Sequence, residues 1–388
     1  MGSTGRRFGA AFWVVVISAF LGFLGVGAVV PVLAPHVRND LHQSDFVLGL
    51  IIGVFSFTAL ASRFLSGPIT DRYGRKYSFM AGLALCALSG AMYLLPMGVG
   101  GIFGGRVLHG IGEAFLFAGA GTWVVELGDP TRRARSLTFL STGIWGGISI
   151  GPVVGQFLGT FDRAAWLLLL SPIPAIAAVS MLPETYSFRA VHGKRAWIPR
   201  EAVGPGIILG LVNMHHPALA GFVVLHLADR ANSGGTAFSA YAAMVLLSRF
   251  FLGGLPDRMS SRTIFRSGSS VMLVGLLVLA LKPPAAIAIL AAAMIGFGFS
   301  FPWPSVAAFV LQRIDDSRRA SGMGVLTAFA DLFLGLGSLL AGAVASRFGY
   351  PWIYVTSAVM VVAAMALAER VLAEPLPLAG TPETVVQR

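Results

Sequence analysis

Apolar residues in this chain come in long unbroken runs rather than in short alternating stretches. Trp13 to Pro35, Phe46 to Gly67 and Ala164 to Leu182 are nearly free of charge. Each approaches the roughly 20 residues needed to cross the hydrocarbon core of a bilayer. Polar residues gather in short clusters between the runs. The pattern predicts twelve helices, near 10–36, 45–68, 77–96, 100–127, 133–160, 164–182, 202–228, 236–255, 263–282, 285–312, 319–345 and 350–373. The expected fold class is an all-α polytopic membrane protein. The longest polar stretch between spans, 186–200, divides it into bundles over 1–185 and 201–374. A Pro-rich tail, 375–388, is expected to be disordered.

Composition sharpens this picture. Of 388 residues, 56% are hydrophobic and 12% charged, whereas a soluble domain carries about 25% charged residues. The one cysteine, Cys86, lies in an apolar run and cannot form an intrachain disulfide. Arg6 and Arg7 precede an apolar run too long for a signal-peptide core, which therefore reads as the first span. The net charge of +11 could suggest nucleic acid, but the basic residues are scattered between spans. Twenty of the 28 fall in one set of loops together with both termini, five in the other set, and Arg63, Arg106 and Arg249 lie inside spans. That asymmetry places both termini in the cytoplasm of a multi-pass protein of the cell (inner) membrane. No nucleic-acid partner is expected.

The two halves match at a fixed offset of 186 residues. Arg63 falls on Arg249, Asp71 on Asp257, Arg72 on Arg258, Gly110 on Gly296, Gly112 on Gly298 and Gly151 on Gly337. Six spans is an even number, so the two repeats share one orientation. This predicts parallel repeats about an axis along the membrane normal.

The stretch Gly67-Pro-Ile-Thr-Asp71-Arg72-Tyr-Gly74-Arg75-Lys76 resembles the loop between the second and third helices of the major facilitator superfamily. The copy holding Asp257 and Arg258 is degenerate, with Ser260 for Gly74 and Ser261 for Arg75. Leu182-Pro-Glu184-Thr, closing the sixth helix, is similar to a second hallmark of that family. The resemblance spans essentially the whole chain. It implies the two-bundle, twelve-helix major facilitator fold and usually a monomer. It also implies that the charged loop is a latch on the cytoplasmic face. Asp71 is expected to cap a neighbouring helix N-terminus, and Arg72 and Arg75 to pair with Glu126 or Glu184. Plain positive-inside charge is the competing account. Gly147-Ile-Ser-Ile-Gly151-Pro152-Val-Val-Gly155-Gln156 resembles the family's antiporter motif, with Gln156 in place of a glycine; it implies export. Generic close packing of helices is the alternative.

Arg106, His109, Gly110 and Glu113 share one face of the fourth helix. Arg106-x-x-His109-Gly110-x-Gly112 resembles the family's helix-four motif, with His109 where glutamine is usual. Ionisable groups within a span are costly and tend to face a cavity. Glu113 is thus a proton-coupling candidate with Arg106 and His109, or else half of a static buried pair. Asp331, in the eleventh helix, is an isolated acid and an equal candidate; its counterpart in the first half is Trp145. Asn213-Met-His215-His216-Pro217 lies midway along the seventh helix, which Pro217 is expected to kink. Adjacent side chains there diverge by about 100°, so the two histidines are not expected to share a metal. Asn213, His215, His216, Gln156, Trp145, Phe117 and Phe299 are candidates for the cavity wall, with Trp123, Phe115 and Trp303 as further aromatics.

The reading that emerges is a carrier of a small organic, possibly drug-like and amphipathic, solute. It would export that solute in exchange for protons by alternating access. A uniporter, symporter or lipid flippase of the same fold is the alternative. No metal or cofactor is expected. An enzyme is not expected either, since H-E-x-x-H and a nucleophile with a base are lacking.

Overall fold

The computed structural model describes residues 9–128, 133–184, 199–231, 233–252, 259–314 and 318–372. Among these are twelve helices long and apolar enough to cross a membrane. They are α1 (Ala10–Asp40), α2 (Asp45–Tyr73), α3 (Arg75–Leu94), α4 (Val99–Leu127), α5 (Arg135–Leu158), α6 (Phe161–Ser180), α7 (Arg200–His226), α8 (Gly234–Leu252), α9 (Ser261–Ala280), α10 (Ala285–Leu311), α11 (Ser321–Phe348) and α12 (Tyr350–Val371). The segments 186–198 and 375–388, and the residues Asp257 and Arg258, lie outside the described residues.

Hydroxyl residues start several helices, as elementary capping requires. Ser44, Thr160 and Ser260 each accept from the backbone N–H three residues on. The expected end of α2 near residue 68 is corrected: the helix runs through Pro68 to Tyr73. Gly67-Pro68 reads as a stop signal, but proline inside a span is tolerated where neighbours can satisfy the freed carbonyl. The charged motif therefore starts on the last turns of α2, and the reversal falls on Gly74 alone, whose φ is +106°. A side chain there would be strained and would strike the Glu184 carboxylate. Three helices break inside the membrane. The helix α6 restarts at Pro172 and α10 at Pro302. At Met214, α7 loses its α pattern, and it continues past Pro217 as a π-turn over Ala218–Phe222.

The 186-residue offset reappears in the packing. A side chain at Gly110 would collide with the Phe55 carbonyl of α2, and one at Gly296 with the Tyr241 carbonyl of α8. Gly112 lies on the Gly82 carbonyl of α3, and Gly298 on the Gly268 carbonyl of α9. Each member of these pairs is 186 residues from its equivalent, so the same glycine makes the same close approach in each bundle.

The bundles meet through α2 against α11 and α5 against α8. At the end carrying the 41–44 turn, backbone meets backbone between α2 and α11. A Cβ on Gly49 would sit 2.6 Å from the Ser338 carbonyl oxygen, and one on Gly342 2.7 Å from that of Asp45. Asp45 pairs with Arg38 at 2.9 Å and accepts a hydrogen bond from the Tyr350 hydroxyl of the other bundle at 3.1 Å. Thr236 of α8 donates to the Gln156 side chain of α5. Outside the spans, the Lys282 ammonium donates to Asp229 at 2.9 Å and holds its carboxyl below the ordinary range.

Adding volume to such a seam costs about 1–3 kcal/mol. Ser338 is fully buried, and so is Cys86. With Cys86→Ser as background, a Ser338→Cys thiol is expected to resist a membrane-impermeant maleimide. Adding Gly49→Val is expected to part α2 from α11 and raise the labelling rate. An unchanged rate would mean the seam accommodates the new side chain without parting.

Candidate functional site

Intramembrane charge concentrates where α2, α4 and α11 come together. Arg63 of α2 forms an ion pair with Asp331 of α11 through Nε and reaches its second oxygen from Nη2 at 3.4 Å. The pair crosses between the bundles. The expectation of an isolated acid at Asp331 is corrected, because Arg63 neutralises it. Glu113 of α4 lies within electrostatic reach of the same Arg63 and of Asp331, and of Arg106 more weakly. The Arg63 guanidinium also lies over the Phe117 ring, 5.6 Å from its centroid. Arg63 was legible as an arginine inside a span, but its partner lies 268 residues away.

Arg106 does not form the static pair with Glu113 that was the alternative reading. It donates to the Ile51 and Ile52 carbonyls at 3.2 and 3.3 Å and covers the Phe55 ring at 4.7 Å. His109 is 1% exposed and neither ring nitrogen has a hydrogen-bond partner. Glu113, Arg106 and His109 all line a cavity of about 220 Å³ between the bundles. Phe23, Phe55, Phe117, Trp145, Phe238 and His216 supply most of its aromatic wall.

The break in α7 positions a hydrogen-bonded chain behind that wall. His215 Nδ1 lies 2.6 Å from the Val212 carbonyl, which can only accept, so this nitrogen carries the hydrogen. In neutral His215, Nε2 then accepts from the Tyr241 hydroxyl at 3.3 Å. The Tyr241 oxygen in turn accepts from His216 Nδ1–H at 3.1 Å. His216 Nε2 is left as a lone-pair acceptor for the cavity. The two ring planes lie 85° apart, and both rings converge on one hydroxyl.

Several cavity candidates are placed elsewhere. His215 is fully buried behind His216, and Phe299 packs on it with centroids 4.9 Å apart. The Asn213 amide turns back to the Leu209 carbonyl. Gln156 belongs to the seam with α8. Trp123 is buried against Phe79. Trp303 lines a second cavity, beside Arg249. Single-helix periodicity shows which residues share a face, but not which helix covers that face.

The Asp71 motif is tied within the first bundle. Arg75 bonds Asp71 and Glu126, each at 3.1 Å. Glu184 accepts from the Lys76 backbone N–H at 3.0 Å, at the start of α3, and the Lys76 ammonium donates to the Ser180 and Leu182 carbonyls. Two expectations are corrected: Asp71 pairs one turn along rather than capping a neighbouring helix, and Arg72 lies over the Tyr73 ring rather than on an acid. Gly67 has open space around it. Gly147, Gly151 and Gly155 all press on α1, against Phe20, Gly27 and Ala28. Pro152 lies within α5, and this motif is a close-packing surface inside one bundle.

The Major Facilitator Superfamily sequence profile matches residues 15–228 and 205–387. An uncharacterized MFS-type transporter of Salmonella typhimurium is 29% identical over 358 residues, covering 87% of this chain and 90% of that one. A similarly described protein of Burkholderia mallei is 27% identical over 366 residues, covering 91% and 90%. Among solved structures, the nucleoside transporter NupG superposes with a TM-score of 0.77 at 14% identity, over 95% of this chain and all of that one. The human organic anion transporter MFSD10 (TETRAN) does so with 0.70 at 17% identity, over 92% and 98%. Likeness at that identity concerns the fold.

The hydrogen-bonded chain makes a specific demand. Tyr241→Phe leaves His215 Nε2 and His216 Nδ1 without their shared partner, and a buried unpaired polar group costs about 1–3 kcal/mol. The variant is expected to melt at a lower temperature in detergent. Equal melting temperatures would show that the chain contributes nothing to stability.

Proposed function

From the premise that this chain belongs to the Major Facilitator Superfamily, we propose that it is a proton-coupled antiporter exporting a small organic solute. It would sit in the cell (inner) membrane with both termini cytoplasmic and act as a monomer. The observation that carries the reading is the Arg63–Asp331 ion pair across the bundle interface, with Glu113 within electrostatic reach of the same guanidinium and on the wall of the central cavity. Arg63 and Glu113 belong to the first bundle and Asp331 to the second.

Two carboxylates and one guanidinium sum to a single negative charge, so one bound proton neutralises the group. With the proton on Glu113, Arg63 keeps Asp331 and ties α2 to α11. When Glu113 loses the proton, it competes for Arg63 from within its own bundle and loosens the tie. Proton occupancy is thereby linked to the separation of the bundles, the motion alternating access requires. Glu113 also lines the central cavity, so a solute there meets the group that carries the proton. The direction of transport rests on the resemblance of the 147–155 segment to the antiporter motif. The solved neighbours NupG and MFSD10 are described as carriers of nucleosides and organic anions, which fits an organic solute in the cavity.

Proteoliposomes holding a trapped pH dye test this. A transported solute is expected to move protons in the opposite sense, and Glu113→Gln to abolish that proton movement. Asp331→Asn removes the interfacial counterion, at a cost of about 1–3 kcal/mol. That is below the roughly 3–5 of a fully buried pair, because both side chains keep some exposure. It is expected to uncouple the two fluxes while the protein stays folded. Solute flux that continues in wild type without proton movement would replace antiport with facilitated diffusion.

A further inference from the structure

The two bundle interfaces are related by the 186-residue offset, and so are the arginines within them. Arg63 maps onto Arg249, and Asp331 maps back onto Trp145. The structure joins both pairs: Arg63 to Asp331 across α2 and α11, and Arg249 to Trp145 across α8 and α5. The chain thus builds the same contact twice and supplies a carboxylate only once. At the second position, the guanidinium lies 4.6 Å from the centroid of the indole ring. A ring face attracts the positive charge but does not receive the in-plane N–H groups. Among the described residues, no carboxylate lies within ion-pair range of Arg249.

Arg249 opens onto a cavity of about 220 Å³, separate from the one lined by Glu113. Ser141, Ser248 and Ser300 line it, with Phe301 and Trp303 forming an apolar flank. Ser248 is only 4% exposed, and its hydroxyl has no hydrogen-bond partner. An unpaired buried hydroxyl costs free energy unless something in the cavity receives it. The Ser300 hydroxyl bonds the Val245 and Gly296 carbonyls. The second segment of α10, Pro302–Leu311, begins in the same wall and brings the positive end of its dipole there.

We infer that Arg249 and Ser248 form a subsite for the carboxylate of an amphipathic or aromatic organic acid, which gives Arg249 the counterion that Asp331 gives Arg63. The guanidinium offers parallel N–H donors that match a carboxylate, the Ser248 hydroxyl donates to it from the side, and Trp303 and Phe301 cover the apolar body. This inference rests on the reading of the chain as a solute transporter and narrows its substrate to the anionic class. Arg63 is already neutralised and Arg106 is spent on backbone carbonyls and the Phe55 ring. Of the three intramembrane arginines, Arg249 is the one whose guanidinium has no hydrogen-bond acceptor or ion-pair partner among the described residues.

The test is a binding measurement, which does not depend on proton coupling. The full chain in phosphatidylcholine nanodiscs is titrated with 1-naphthoate and with its neutral isostere 1-naphthamide, read by quenching of intrinsic tryptophan fluorescence. Naphthoate is expected to bind at least about tenfold more tightly than naphthamide, as a charge-assisted bidentate contact implies. Arg249→Met is expected to erase the difference between the two probes. Ser248→Ala should reduce it several-fold, and Arg249→Lys should retain part of it. Equal binding of the two probes, or no naphthoate binding at millimolar concentration, would overturn the inference. So would a preference for naphthoate that survives in Arg249→Met. If Arg249→Met fails to fold, an unchanged preference in both Ser248→Ala and Arg249→Lys would overturn it as well. Repeating the titration with phosphatidylglycerol present identifies the source of the oxyanion. Loss of naphthoate binding there would assign the subsite to a lipid phosphate and overturn the solute assignment. Carboxylate binding that needs Arg249, in a protein whose transport moves no protons, would uphold this inference and remove antiport alone.

Discussion

The pairing of Arg63 with Asp331 is the constraint on which the rest of the molecule depends. A guanidinium within a bilayer-spanning helix is expensive, and it persists only with a counterion or a wet cavity. Here the counterion comes from the opposite bundle, so the cost of burying one charge becomes an attraction between the two halves. The pair sits on the same two helices whose backbones meet at Gly49 and Gly342, toward their other ends. One helix pair therefore has an ion-paired region and a region where backbone touches backbone. Glu113 lies within electrostatic reach of Arg63 from the same bundle.

Much of the architecture was legible before any coordinates. The apolar runs placed all twelve spans, because a span must be both long and uninterrupted. The 186-residue offset anticipated glycine contacts that the structure repeats in each bundle. The motif from Gly67 to Lys76 offered Arg72 and Arg75 as partners for Glu126 or Glu184, and of these the structure forms the Arg75–Glu126 pair. The site was less legible. Asp331 read as a lone acid because its partner lies nine spans earlier on α2, and a single sequence carries no signal for which spans touch. The end of α2 was placed too early because Pro68 was weighed as a breaker, where the membrane context lets it pass. Asn213, His215, Gln156 and Phe299 look like cavity residues by polarity or position, but each already has a local partner that accounts for it.

The histidines of α7 show how a broken helix changes what neighbouring residues can do. On a regular helix, His215 and His216 would point about 100° apart and share nothing. Here, where the helix loses its α pattern at Met214, both rings reach Tyr241, so a buried histidine fixes the hydrogen-bonding sense of a half-buried one. The cavity wall thereby gains an acceptor whose orientation is set from behind.

The equivalence of Asp331 and Trp145 has a consequence for how such a chain could arise. If the two halves descend from one ancestral bundle, pairing two identical copies would give two matching interfaces. Two first halves would hold two arginine–tryptophan contacts, and two second halves two arginine–aspartate pairs. Neither symmetric ancestor contains both kinds of contact. Only after the copies diverged could one interface hold an arginine–aspartate pair while the other held an arginine against a tryptophan ring. The present halves are no longer interchangeable, because two residues in equivalent places now differ.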